Sequence, residues 1–136
     1  NQASDPFWVT SYPLAEAKAQ QVAGALGALV QSAVDGGNQV VLATPVAVPL
    51  YAADPYKRWA FERYNGLLRS IAAQHASGGL VRLADAEAAL DAAAQAALFT
   101  PDQIHMSAAG DIAYAQVIAD ALRGPAAGPV TLAWSV

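Results

Sequence analysis

Two short apolar runs, each delivered by a helical stretch that ends in Gly-Gly, constrain this chain more than any other feature. From about Pro13 onward, Leu14, Ala17, Val22, Leu26, Leu29, Val30 and Val34 recur at helical spacing. That stretch stops at Gly36–Gly37, and "NQVVLATPV" comes directly after it. Val40, Val41 and Leu42 are continuously apolar and do not alternate, as expected of a strand covered on both faces in a parallel sheet. The pattern then repeats. Asp54 as cap and Pro55 at the first helical position open a second helix running to about Ala76. Gly78–Gly79 closes it, and "GLVRLADA" reads as a second strand.

The remainder predicts a short alanine-rich helix in "DAEAALDAAAQAAL", a loop in "FTPDQIHM", and a last helix capped by Ser107 and ending at Gly124. The tail "GPVTLAWSV" alternates enough to add a strand. This order of helices and strands indicates an α/β layered fold with a mostly parallel sheet. So few strands leave helix and sheet faces unfilled, so residues 1–136 are expected to form the C-terminal half of a larger α/β domain.

Composition removes several function classes. Hydrophobic residues make up 55% of the chain, enough for a packed core. The net charge is -4, and of seven scattered Lys and Arg residues only Lys57 and Arg58 adjoin, so no basic stripe awaits a nucleic acid. The absence of cysteine removes disulfides, thiolate metal sites and a cysteine nucleophile. No His, Asp or Glu cluster has metal-ligand spacing, and no cofactor is expected. No apolar run approaches the ~20 residues of a membrane span. The first ten residues have neither a basic nor an apolar region of the signal-peptide kind.

The chemistry concentrates in "FTPDQIHM". Asp102 and His105, one of two histidines, stand three residues apart just ahead of the last helix. One tight turn can bring them together. His105 would then act as general base, since an imidazole titrates near ~6.5, and Asp102 would fix its tautomer. By spacing alone, a turn aspartate after Pro101 and a histidine packed at the helix entry are the better reading.

The flanks carry more. "DQIHMSAAGDIAYAQVIADAL" resembles the last block of the SGNH (GDSL-type) hydrolases: Asp-x-x-His, a small turn, Gly, then an alanine-rich helix. "VVLATPVAVP" is similar to that family's central strand and proline-rich loop. "RYNGLLRSIAAQHASGGLVRLADAEAAL" is similar to its helix and next strand with an acidic residue. The opening, "NQASDPFWVTSYPLAEAKAQQVAGAL", resembles the family's Gly-x-Asn-Asp block and the segment after it, with Asn1 at the asparagine and Gln2 where Asp is usual.

The resemblance implies a flavodoxin-like three-layer α/β/α fold and a serine hydrolase of esters or of acyl groups on sugars. It makes His105 the base, Asp102 its partner and Asn1 an oxyanion donor. The family's Gly-Asp-Ser nucleophile motif does not occur among Ser4, Ser11, Ser32, Ser70, Ser77, Ser107 and Ser135. The serine is therefore expected from a second polypeptide segment. The alternatives are an O-acyltransferase on the same scaffold, or a binding module that has lost catalysis.

Trp8, Tyr12, Tyr51, Tyr56, Trp59, Phe61 and Tyr64 cluster around the loops expected to flank the site. They either line an acyl or sugar pocket or pack the helix starts. His75 reads as a structural residue at a helix C-terminus, and Asn38 as a turn residue.

Overall fold

The structure, a computed structural model, describes residues 9–90 and 95–123. Asn1, Trp8 and the strand expected over the tail lie outside the described residues.

Helix α1, Tyr12–Asp35, begins where the Ser11 hydroxyl accepts from the Leu14 amide, with proline in the first turn. It ends at Gly36, and the amide of Asn38 turns back onto the Ala33 carbonyl past Gly37, whose φ of 77° favours glycine. Strand β1, Val40–Ala43, comes next. One helical turn, α2 (Pro49–Ala52), interrupts what the sequence presents as a loop. Helix α3, Pro55–Gln74, is capped by the Asp54 carboxylate, which accepts from the amides of Tyr56 and Lys57. His75 is its C-terminal cap residue, and a 3₁₀ turn over Ala76–Gly78 leads through Gly79, φ 68°, into strand β2, Val81–Ala84.

The two strands pair in parallel, Val40 with Val81 through Ala43 with Ala84. Helices α1 and α3 pack against one face of the pair. Val40, Leu42 and Val81 face a core with Ala19, Ala23, Leu26 and Val30 of α1 and Tyr64, Leu68 and Ala72 of α3. The pleat turns Arg82 the opposite way, where its Nη1 donates to the carbonyls of Ala121 (3.3 Å) and Leu122 (2.7 Å) at the end of the last helix. A guanidinium at a helix C-terminus satisfies carbonyls that have no partner within the helix.

Two expectations are corrected. The buried seam of α1 is Ala15, Ala19, Ala23, Leu26 and Val30, whereas Ala17 is exposed and Leu29 is 60% exposed. Alanines face α3 because small side chains let two helices approach closely, and Ala60 and Ala72 on α3 answer them. The stretch "DAEAALDAAAQAAL" is not one helix. Helix α4 covers only Ala86–Ala89, and Leu90 turns extended (φ -99°, ψ 97°) to pack against the cluster of Val46, Ala86, Leu98 and Phe99. A 3₁₀ turn over Gln95–Leu98 precedes helix α5, Ala108–Leu122.

Candidate functional site

The Asp102–His105 loop is a clasp between that 3₁₀ turn and α5. Phe99 and Met106 form an antiparallel bridge at its base. The Thr100 amide donates to the His105 carbonyl (2.8 Å), and the Ser107 amide to the Leu98 carbonyl (2.8 Å). Ser107 caps α5: its hydroxyl accepts from the Gly110 amide (3.1 Å) and donates to the Ala97 carbonyl (3.1 Å). A Cβ on Gly110 would lie 2.1 Å from the Leu98 carbonyl oxygen, so only glycine lets the first turn of α5 close on the loop base. At the tip, Gln103 takes a left-handed φ of 61° at a cost of about 1 kcal/mol. Its carbonyl accepts from the Leu50 amide (3.3 Å), tying the tip to α2.

Asp102 organises this loop. Its Oδ1 accepts from the Thr100 hydroxyl (2.6 Å) and from the amides of Ile104 (2.9 Å) and His105 (3.0 Å). Its Oδ2 lies 2.6 Å from His105 Nδ1. The Thr100 hydroxyl first, then His105 and the two amides, hold the carboxyl well below the usual carboxylate range. An anionic Asp102 makes Nδ1 the protonated nitrogen of a neutral imidazole and leaves the Nε2 lone pair outward. The His105 side chain is 76% exposed and that of Asp102 46%.

The structure thus brings Asp102 and His105 together, while Asn1 lies outside the described residues. Among the described residues no serine is hydrogen-bonded to His105. Ser107, the nearest in sequence, spends its hydroxyl on the helix cap and the Ala97 carbonyl. No group of three or more His, Asp or Glu among the described residues could hold a metal ion.

A second polar assembly, which the sequence does not announce, sits at the carboxyl ends of both strands. Thr44 succeeds β1 and Asp85 succeeds β2, and the Thr44 hydroxyl donates to Asp85 Oδ1 (3.1 Å) while accepting from the Glu87 amide (3.1 Å). Arg69 of α3 grips Asp85 through Nε (2.7 Å) and Nη2 (2.9 Å), and reaches Glu87 Oε1 (3.1 Å). The fully buried Asn65 donates to the Pro45 carbonyl (3.0 Å) and to Glu87. The Arg69 guanidinium is the main cause that lowers the Asp85 carboxyl. The Tyr114 hydroxyl of α5 donates to the Thr44 carbonyl (3.0 Å). The available sequence signal was positional: Thr44 and Asp85 each stand one residue past a strand, where open α/β sheets put their sites. The partners on α3 are 16 to 22 residues away in sequence and carry no local pattern.

Val46 and Val48, just past β1, pack with Phe99 and Met106 at the base of the histidine loop. The loop therefore stands over the same carboxyl-end edge as the network. The arrangement supplies an oriented proton acceptor and no nucleophile of its own.

Comparison of the chain with protein-family models, with curated proteins and with solved structures finds no match to any of them.

Proposed function

We propose that Asp102 and His105 are the acid–base pair of a serine ester hydrolase of SGNH type, whose nucleophile comes from a segment outside these 136 residues. One observation carries the reading: Asp102 Oδ2 at 2.6 Å from His105 Nδ1, on a carboxylate already held anionic by three other donors. The Nε2 lone pair takes the serine proton as the oxygen attacks an ester carbonyl, and returns it to the leaving alcohol. Asp102 steadies the imidazolium between the two transfers. The two-stranded parallel sheet is then part of a flavodoxin-like three-layer domain, completed by the same segment. Asn1 would donate to the oxyanion. An O-acyltransferase would use the same groups with an acceptor alcohol in place of water, and product analysis with an acceptor sugar separates the two. A binding module would keep the fold without turnover.

The test is an intact mass of the native material under denaturing conditions, then hydrolysis of short-chain nitrophenyl esters. A second polypeptide carrying Gly-Asp-Ser is expected, with turnover that His105→Ala reduces about 10³-fold. A single 14.0 kDa species without turnover, or a His105→Ala protein as active as the parent, overturns the reading.

A further inference from the structure

We propose that the open groove between the start of α1 and the α2–α3 junction is a carbohydrate-binding site that takes a neutral pyranose ring against Trp59. The groove has a volume of about 310 Å³ and is lined by Tyr12, Ala52, Pro55, Arg58, Trp59 and Glu62. That volume lies at the lower end of the range of small-molecule sites, about 300–1,000 Å³.

Two large rings are left open to water here. Trp59 is 44% and Tyr12 51% exposed, although Ala60 and Phe61 beside Trp59 are buried. Their ring centroids are 5.7 Å apart at 75°, so they form two walls of a corner. The corner is held before any ligand arrives: Tyr12 also meets Tyr56 at 5.0 Å and 75°, and Tyr56 packs on the buried cluster of Val9, Ala15 and Ala60. A platform fixed in advance loses little freedom on binding.

The rim decides the chemistry. Arg58 Nε donates to Glu62 Oε1 at 3.0 Å, an exposed ion pair of zero net charge that keeps further donors and acceptors beside the rings. A sugar ring presents an apolar C–H face and a belt of hydroxyls, which matches an aromatic wall beside a polar rim. An acyl chain gains from enclosure in apolar surface, and this groove is open and bordered by charge. The neutral rim favours an uncharged sugar over a sugar acid or phosphate.

The groove is close to the histidine loop without belonging to it. Ala52 is two residues along from Leu50, whose amide bonds the Gln103 carbonyl, and His105 is two residues beyond Gln103. Chain geometry limits the separation of the Ala52 and His105 backbones to about 20 Å, the span of a short oligosaccharide. The site stands whether or not His105 serves a serine, because binding and turnover are read separately.

Titration of the full chain with cellohexaose, xylohexaose and chitohexaose as probes, monitored through the Trp59 indole N–H by NMR and by calorimetry, tests it. Saturable binding of at least one probe is expected, weakened about tenfold by Trp59→Ala and by Tyr12→Ala. Trp59→Phe should retain part of it, and His105→Ala all of it. No saturable shift at Trp59 up to about 10 mM of any probe overturns the proposal. So does equal affinity of the parent and a folded Trp59→Ala protein, or occupation of the groove by octanoate and by none of the sugars.

Discussion

Asp102 accepts four hydrogen bonds within six residues of chain, and only one comes from the imidazole it orients. The carboxylate therefore holds the loop and the histidine together, and Asp102→Asn should damage both. An amide at this position loses the negative charge that fixes the proton on Nδ1 and puts an NH₂ toward donors. The expected outcome is loss of the Nδ1–H tautomer, read from imidazole ¹⁵N shifts; for the hydrolase proposed above, turnover should fall about 10³-fold or more. The pH dependence has a definite sign. A carboxyl lowered on folding stabilises the loop fully above its unfolded value of about 3.9, and that contribution is lost as pH falls through the lower folded value. In a His105→Ala background, where no imidazole titrates beside it, the amide shift of Ile104 should thus stay constant from neutrality to about pH 4 and move only below it. Movement centred between pH 5 and 7 in a His105→Ala background would contradict this account. The Asp-x-x-His pair was legible in the sequence because both groups and the turn that joins them are local. The Thr100 hydroxyl, which contributes most to lowering Asp102, was not singled out, since a threonine before a proline carries no such signal.

At the scale of elements, the starts of the three long helices were legible, and their faces and the short helices less so. Ser11, Asp54 and Ser107 cap α1, α3 and α5 through their own side chains, and residues of that type before a helical run are local signals. Which face of α1 is buried depends on α3, more than 30 residues on, so the larger Leu29 misled where the alanine seam decides. The close approach of α5 to Leu98 belongs to the same class of long-range fact, and it yields a sharp test. Gly110→Ala puts a methyl against a backbone carbonyl that cannot swing away, at a cost of about 1–3 kcal/mol. Thermal melts should show that loss, and the Asp102–His105 contact should loosen with it, whereas Gly24→Ala on α1, with open space around it, should be neutral or stabilising. The strand-end network gives a second test. Arg69→Met leaves Asp85 and Glu87 facing each other without their cation. Because the guanidinium is partly exposed, the expected loss is about 1–2 kcal/mol in denaturant melts near neutral pH. Asp85 is lowered on folding, so this difference should shrink as pH falls below about 3.9. A difference that grows on acidification would assign the network another role.

At the scale of the whole molecule, the sheet decides most, and among the described residues it has two strands. Its order is β1-β2, and the amides of Val40 and Thr44 donate to the Leu80 and Ala84 carbonyls of the β2 side. In a parallel ladder the alternate residues, Val41 and Ala43, then point their amides and carbonyls at the opposite edge. Among the described residues no strand lies along that edge, although Val40, Val41 and Leu42 are buried side chains of a fully apolar run. Such an edge is a template for a further strand. The purified chain alone should therefore self-associate, and a segment that completes the sheet should dissolve the association. Light scattering at two concentrations reads the first half of this expectation. Hydrogen exchange reads the second: the amides of Val41 and Ala43 should exchange fast in the lone chain and slow by about 10²-fold or more once the segment is bound, while Val40 and Thr44 stay slow in both. A monomer that melts cooperatively, with Val41 and Ala43 already protected, would mean that this edge is closed from within the chain. The serine of the proposed hydrolase would then have to be sought there too.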